Sequence, residues 1–215
     1  MTIEIELKYL LPATGEKNDH IAESITAMLV AKNISFERSE NQLTNDYFDT
    51  ENLALRKMDF GLRIRTKNQQ YEQTIKTAGK VVGCLHQRPE YNIDIVEKKL
   101  NLSLFPIQIW PEKTNIEILE KDLQVIFSTD FSRQTWLIHQ GESIIELALD
   151  RGRICTKLSD TTQDINELEI ELVSGDEQSL FALAKQLMAV VTMTPGKLSK
   201  AARGYALYHA RKNIT

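Results

Sequence analysis

The sequence has few cysteines, no long apolar run and no excess of positive charge. Its two cysteines, Cys84 and Cys155, have no CxxC spacing, which excludes a disulfide framework and favours a reducing, cytoplasmic setting. Glu4 and Glu6 lie where a signal peptide would need an apolar core, and no run approaches the length of a membrane span. Lys and Arg total 26 against 30 for Asp and Glu, a formal net charge of -4. We therefore expect a cytoplasmic protein that binds neither membrane nor nucleic acid.

The first ten residues alternate between apolar and charged side chains, as an amphipathic strand does. Glu4, Glu6 and Lys8 fall on one face, with apolar residues on the other. Two carboxylates next to an amine suit a hard divalent cation beside an anionic ligand, because oxygen ligands hold Mg²⁺ or Mn²⁺ and the ammonium attracts phosphate. An ordinary solvated strand face has the same pattern. Taken alone, this strand leaves both interpretations open.

Seven further strands are expected from alternating patterns bounded by turn residues, at 34–50, 61–66, 71–77, 87–95, 128–139, 143–150 and 166–173. Because Pro89 has no N–H to donate, we expect the strand around it to begin or bulge there. Helical spacing predicts helices at about 16–32, 115–126, 178–190 and 200–212, and a polar loop at 159–163. These patterns indicate an α+β protein of mainly antiparallel β-structure.

Most of these strands pair an apolar face with a charged one, and the helices carry apolar stripes. An antiparallel eight-stranded barrel satisfies both patterns if its apolar faces lie outward beneath helices and its charged faces line a water-filled lumen. Dense like charges cost free energy unless a ligand or ion neutralises them. A polyanion with divalent cations would do so, and the chemistry that this implies is phosphoryl transfer to water. The charged residues expected in the lumen are Glu4, Glu6, Lys8, Arg63, Arg65, Lys76, Arg88, Glu90, Arg133, Asp150, Glu169 and Glu171.

The same residues carry a family resemblance. Glu4-Ile-Glu6-Leu-Lys8 is similar to the ExExK signature of the CYTH superfamily, the triphosphate tunnel metalloenzymes, and later segments follow in family order. These segments are Tyr47-Phe-Asp49, Leu62-Arg-Ile-Arg65, Thr74-Ile-Lys76, Arg88-Pro-Glu90, Phe131-Ser-Arg133, Glu146 through Asp150, Glu169-Ile-Glu171 and Ser199-Lys-Ala-Ala-Arg-Gly204. The segments 85–92 and 198–205 look most like bacterial inorganic triphosphatases, in which a helical CHAD domain follows the CYTH domain. Because the chain stops at Thr215, we expect residues 1–215 to form a single CYTH domain, with any CHAD domain in a longer parent chain.

The resemblance implies an eight-stranded tunnel that hydrolyses triphosphate to pyrophosphate and phosphate with two Mg²⁺ or Mn²⁺ ions. It places Glu4, Glu6, Glu169 and Glu171 as metal carboxylates, with Asp150 and Glu90 near a second, water-activating ion. The implied phosphate-binding residues are Lys8, Arg63, Arg65, Lys76, Arg88, Arg133, Lys200 and, in second rank, Arg203. The catalytic residues that the resemblance implies are Glu4, Glu6, Lys8, Lys76, Glu90 and Asp150.

Several alternatives remain at this stage. The same tunnel could serve ATP cyclisation, as in class IV adenylate cyclases, hydrolysis of thiamine triphosphate or nucleoside triphosphates, or polyphosphate binding without catalysis. Glu167 fits either a ligand or the solvated end of its strand, and Glu146 and Arg88 fit either site contacts or an ion pair within the lumen. His20, His86, His139 and His209 have no zinc-binding spacing, so surface or turn positions are expected for them.

Overall fold

The computed structural model describes residues 1–12, 20–156 and 159–212. Its strands are β1 Thr2–Leu10, β2 Ser35–Asp49, β3 Gly61–Lys67, β4 Gln70–Lys76, β5 Lys80–Val82, β6 Leu85–Ile95, β7 Gln124–Gln140, β8 Ser143–Thr156, β9 Ser159–Ser174 and β10 Thr194–Pro195. Its α-helices are α1 Ile21–Ala31, α2 Ala54–Lys57, α3 Ile116–Asp122, α4 Gln178–Leu187 and α5 Lys200–Lys212. No helix in these ranges combines the length and the apolar character needed to cross a bilayer.

Eight of these strands form a closed ring in the order β1-β9-β8-β7-β2-β3-β4-β6, and β6 pairs back with β1. Every pairing in the ring is antiparallel. The short strands β5 and β10 are added beside β6 and β1. The expectation of an eight-stranded antiparallel barrel is therefore confirmed.

Some element bounds differ from the expected ones. The polar segment 159–163 belongs to β9, because the β8 and β9 strands extend their pairing well beyond Asp150. α3 ends at Asp122, and β7 begins at Gln124, within the segment predicted to be helical. The predicted start of the first helix, at residue 16, lies outside the described residues, and α1 begins at Ile21.

The β6 strand runs without a register shift through Pro89, so the predicted break there is wrong. The Pro89 carbonyl accepts a hydrogen bond from the backbone N–H of Thr77, which follows the last residue of β4. In an antiparallel ladder the N–H and C=O of one residue point to the same side. The missing N–H of Pro89 therefore faces the end of β4, where the ladder needs no further donor.

Two clusters of apolar side chains cover the outside of the barrel. One cluster joins the outward faces of β1, β7, β8 and β9 to α1 and α4, with Trp136, Leu147 and Ile170 fully buried at its centre. The other cluster joins β3 and β4 to α2, α3 and the 3₁₀ turns between β6 and α3. Burial of this apolar area is the main term that favours the folded barrel. The inward faces of the strands then carry charge around the cavity, whereas at the α5 end inward-facing Leu43, Phe127 and Phe131 pack with Tyr205 of α5.

The last helix, α5, lies against the inward-facing side chains at one end of the barrel. Gly204 approaches β7 so closely that a Cβ atom at this position would lie 2.2 Å from the Phe127 ring. The Tyr205 hydroxyl donates to the Asp49 carboxylate at 2.9 Å, and Asp49 also accepts backbone N–H bonds from Leu55 and Arg56 in α2. This contact fixes α5 so that its first residue, Lys200, reaches the lumen.

Candidate active site in the barrel lumen

The barrel encloses one well-formed polar cavity of about 220 Å³. That volume far exceeds the ~30 Å³ that one water molecule occupies, so the cavity is large enough for a ligand. All eight barrel strands and the start of α5 contribute side chains to it. Its charged lining residues are Glu4, Glu6, Lys8, Arg63, Arg65, Glu72, Lys76, Arg88, Glu90, Arg133, Glu146, Glu169, Glu171 and Lys200, and its uncharged ones include Tyr47, Thr74, Asn92, Phe131 and Ser199.

The cavity collects every site residue predicted from the sequence except Asp150 and Arg203. Asp150 is fully buried behind the lining, and Arg203 lies one turn along α5 from Lys200. Both remain connected to the cavity through ion pairs. Glu146, for which the sequence allowed two positions, lines the cavity and lies 3.7 Å from Arg133.

One side of the lumen is a network in which buried carboxylates hold the cations. Arg133 donates to both oxygens of Asp150 at 2.7 Å and to Glu169 at 2.5 Å. Lys200 lies 2.5 Å from Asp150 and 2.9 Å from Glu169. Lys8, which is 1% exposed, also bonds to Glu169. The three cations are thereby held at fixed positions around Glu169.

This network perturbs the ionisation of its members. Burial alone would raise the pKa of Glu169, but Lys200, Lys8 and Arg133 outweigh it and hold that pKa well below its usual value. Burial would likewise lower the pKa of Lys200, and the neighbouring carboxylates raise it instead. All members of the network are therefore charged at neutral pH.

Glu167 binds the same network from deeper in the wall. It is fully buried, and its carboxylate accepts from Lys200 at 2.5 Å, from Lys8 at 3.5 Å and from Arg203. It does not line the cavity. Of the two alternatives for Glu167, the structure excludes the solvated strand end, because the side chain is buried among cations; metal ligation by Glu167 stays a prediction.

The opposite side of the lumen contains a second set of ion pairs, on β1, β3, β4 and β6. Lys76 lies 2.5 Å from Glu4 and 3.2 Å from Glu90, and Arg63 lies 3.5 Å from Glu90. Burial raises the pKa of Glu90, but Lys76 and Arg63 together bring it below its usual value. Arg88 approaches Glu4 at 3.8 Å. The cations here are again oriented by carboxylates.

One lining cation, Arg65, has no ion-pair partner in the described part of the chain, and a second, Arg63, has one nitrogen without a hydrogen-bond partner there. Arg65 makes no ion pair there, and its Nε donates only to the Asn45 amide oxygen at 3.0 Å. Burial, Arg63 and Arg133 lower the pKa of Arg65 to about 10. The Nε of Arg63 is also buried without a hydrogen-bond partner within the described residues. The Arg65 guanidinium and the Arg63 Nε are therefore available to an anionic ligand.

Where β1 pairs with β9, a carboxyl group lacks a counter-charge in the part of the chain that the structure describes. Glu171 makes no ion pair with any described residue, and burial together with Glu4 raises its pKa to about 8. Its cross-strand partner is Glu6, whose pKa is also raised by burial and by neighbouring carboxylates. Glu4 Oε2 is buried with no hydrogen-bond partner in the described ranges. Lys76 and Lys8 already pair with Glu4 and Glu6, so the carboxyl group that still lacks a counter-charge among the described residues is Glu171.

The carboxylates Glu4, Glu6 and Glu171 fit a hard divalent cation such as Mg²⁺ or Mn²⁺. Carboxylate oxygens are the ligands that such ions take, and a bound cation would complete the contacts that Glu4 Oε2 and Glu171 lack. Asp150, Glu167 and Glu169 also bring one oxygen each within 4.8 Å of one another. Because Lys and Arg side chains already neutralise that second group, it fits an added cation less well.

Sequence reasoning missed three groups at the site. His86, expected at the surface or in a turn, is 1% exposed and lies beside Arg88, so that expectation is wrong for His86. Asn45 bridges Arg65 and the Thr129 hydroxyl, which it reaches at 2.8 Å. Tyr47, identified from the sequence only as part of the segment Tyr47-Phe-Asp49, is opposite Arg63 and lines the cavity. Position on the inward face of a strand was the only available signal.

Comparison with known proteins identifies relatives of this chain. The family profile described as the CYTH domain matches residues 2–205. An inorganic triphosphatase of Haemophilus influenzae is 39% identical over 183 residues, which cover 83% of this chain and 49% of that protein. The chain thus spans about half the length of the curated relative that it matches.

Solved structures share the fold. An adenylyl cyclase candidate from Hippeastrum, described as having a dominant triphosphatase activity, superposes with a TM-score of 0.68 at 17% identity, covering 96% of this chain and 95% of that one. The triphosphatase of the Mimivirus capping enzyme superposes with a TM-score of 0.56 at 12% identity, covering 88% and 90%. At these identities the likeness concerns the barrel alone.

Proposed function

The chain belongs to the CYTH domain family, and we propose that it hydrolyses inorganic triphosphate to pyrophosphate and phosphate, using a divalent cation bound in the barrel lumen. The relative from Haemophilus influenzae is an inorganic triphosphatase. The observation that carries the proposal is that the same cavity has a guanidinium at Arg65 and a carboxyl group at Glu171 that make no ion pair with any described residue. A polyanion would neutralise the guanidinium, and a bound cation would favour the ionised form of Glu171.

In the proposed complex, the substrate phosphates lie among the cations that the carboxylate networks hold in place. Arg63, Arg65 and Lys76 approach from β3 and β4, and Lys8, Arg133 and Lys200 approach from the other side. Fixed guanidinium and ammonium groups stabilise the charge that develops as a phosphoryl group is transferred, because they need no reorganisation during the reaction. The remaining cations proposed to attract the phosphates are Arg88, which lines the cavity, and Arg203, which lies behind the lining.

Glu4, Glu6 and Glu171 are proposed to hold the cation. A bound Mg²⁺ or Mn²⁺ would withdraw charge from the phosphate oxygens and promote ionisation of the attacking water. We assign Asp150, Glu167 and Glu169 to orienting the cations, because each already accepts from Lys or Arg. Glu90 is ionised and paired with Lys76, which it positions. A second ion near Asp150 and Glu90 stays a prediction.

Phosphate release tests the proposed reaction. Inorganic triphosphate, ATP and thiamine triphosphate are compared in parallel, each with Mg²⁺, with Mn²⁺ and with a chelator. We expect rapid release from inorganic triphosphate that the chelator abolishes. Cyclic AMP or ADP formed from ATP would instead support one of the related activities, and triphosphate binding without turnover under either metal would support a binding module.

Removal of the unpaired guanidinium should weaken substrate binding. The Arg65→Ala variant is expected to raise the Kd for inorganic triphosphate about ten- to a hundredfold, because a hydrogen bond to a charged group contributes about 1.5–3 kcal/mol. Isothermal titration calorimetry measures this change. Arg153→Ala, which removes an exposed arginine from β8, is the matched control and should bind as the wild type does. Unchanged affinity in Arg65→Ala would contradict the assignment of β3 to phosphate binding.

The wider organisation of the protein is not part of this proposal. The single-domain organisation of residues 1–215, a CHAD domain in a longer parent chain and a cytoplasmic location stay predictions.

A further inference from the structure

His86 lies on β6, two residues before Arg88, and its ring makes one polar contact from each nitrogen. Nε2 lies 3.3 Å from the carbonyl oxygen of Gly196, in the segment that leads into α5. Nδ1 lies 3.3 Å from a terminal nitrogen of Arg88. The side chain is 1% exposed, so neither nitrogen exchanges its partner for water. The ring therefore links Gly196, in the segment before α5, to Arg88, which lines the cavity.

The two partners fix the tautomer of the ring. A backbone carbonyl only accepts hydrogen bonds, and a guanidinium only donates them. Nε2 must therefore carry the proton, and Nδ1 must present its lone pair to Arg88. Burial lowers the pKa of His86, and Lys8 and Arg88 lower it further, although the Gly196 carbonyl opposes them. Both the geometry and the surrounding charge thus favour the neutral ring.

We propose that His86 is a positioning residue, whose neutral Nδ1 acceptor orients the Arg88 guanidinium toward the phosphate-binding side of the lumen. Arg88 has few other constraints, since its nearest carboxylate, Glu4, lies 3.8 Å from its Nε. Glu4 is also drawn toward Lys76 at 2.5 Å. Without the Nδ1 acceptor, the Arg88 side chain would gain rotamer freedom, and ordering it on ligand binding would cost affinity. This inference rests on the proposed function, because it assigns Arg88 a phosphate to bind.

Two substitutions separate the two ring contacts. The amide of a glutamine reaches about as far as Nε2, so His86→Gln keeps a donor for Gly196 but removes the acceptor for Arg88. The amide of an asparagine reaches about as far as Nδ1, so His86→Asn keeps the acceptor but removes the donor. We expect His86→Gln to raise the Kd for inorganic triphosphate about tenfold and His86→Asn to raise it by about twofold or less. If His86 were needed only for packing, His86→Asn would not bind triphosphate more tightly than His86→Gln.

A double-mutant cycle with Arg88→Gln tests whether His86 acts through Arg88. In the Arg88→Gln background, His86→Gln should change the Kd by less than about twofold, because the partner is already absent. An equal loss with and without Arg88 would overturn the inference. Thermal unfolding of each variant shows whether the barrel remains folded. Failure of the wild type to bind triphosphate would count against the proposed function itself.

The tautomer is measurable without any substrate. Nuclear magnetic resonance of the protein with ¹⁵N-labelled histidine should show His86 protonated at Nε2 and unprotonated at Nδ1 at neutral pH. The same spectrum from His86→Gln identifies the signal by its loss. A proton on Nδ1 would overturn the inference even if the protein hydrolyses triphosphate, because that nitrogen could not accept from Arg88.

Discussion

Replacement of Glu6 by glutamine is expected to lower the rate of triphosphate hydrolysis at least about a thousandfold and to leave the barrel folded. The substitution removes one of three carboxylates proposed to hold the cation, and metal stabilisation of a phosphoryl transition state contributes several kcal/mol, about 4 kcal/mol for a thousandfold change. The fold should tolerate the change. Burial and nearby carboxylates already raise the pKa of Glu6, so its ionised form is unfavourable in this position.

The loss should appear in turnover more than in substrate affinity, because the phosphate-binding cations keep their own carboxylate partners. Lys8, for example, retains Glu169 when Glu6 is replaced. Phosphate release and calorimetry on the same preparation separate the two effects, and thermal unfolding confirms the fold. Glu142→Gln, which changes an exposed residue in the β7–β8 turn, is the matched control. Full activity in Glu6→Gln would remove Glu6 from the cation site.

The second large effect concerns stability. Glu167→Ala is expected to lower the free energy of unfolding by about 3–5 kcal/mol, because removing one member of a buried ion-pair network leaves uncompensated charges in the wall. Lys200, Arg203 and Lys8 all donate to this one carboxylate. For a domain of this size the loss corresponds to a decrease in Tm of about 10 °C.

Differential scanning calorimetry measures that decrease in Tm. Glu37→Ala is a suitable control, because Glu37 is also a strand glutamate but is exposed on β2, and it should change Tm by about 2 °C or less. A small effect in both variants would mean that the network adds little to stability. A large effect in Glu167→Ala alone would show that the buried carboxylate anchors the cations of the site.

Much of the fold was predictable because the barrel has a simple periodicity. Alternation with period two in β1, β3 and β9 separates inward charges from outward apolar residues, and short turns require antiparallel neighbours. Closure was predictable for a different reason. Apolar stripes on the helices needed a surface to cover, and outward-facing residues such as Leu147 and Ile170 provide it.

Strand ends were less predictable, because pairing decides them. The segment 159–163 has a polar composition typical of a loop, but the β8–β9 ladder extends through it. Pro89 shows the opposite case. Proline usually ends a strand, but Pro89 lies within β6, at the point where the neighbouring strand β4 ends. In both cases the partner strand outweighs local composition.

The lumen residues were largely predictable from strand parity, but their grouping was not. The sequence placed Glu169 and Asp150 with Glu4 and Glu6 as metal carboxylates, and that assignment stays untested. In the structure these four carboxylates have different partners. Asp150 and Glu169 accept hydrogen bonds from Arg133 and Lys200, which do not pair with Glu4 or Glu6 in the described ranges. Such pairing depends on side-chain reach across the barrel, which no spacing in the sequence records. The sequence does not indicate the burial of His86 beside Arg88 for the same reason.

A crystal structure of the protein with Mn²⁺ and inorganic triphosphate, recorded with anomalous scattering from manganese, would show which carboxylates hold the cation. We expect an anomalous peak bounded by Glu4, Glu6 and Glu171, with the phosphate oxygens contacting Arg63, Arg65 and Lys76. Manganese at Asp150, Glu167 and Glu169 with displaced Lys200 would contradict the proposed division of carboxylates. Triphosphate bound outside the lumen would contradict the proposed active site as a whole.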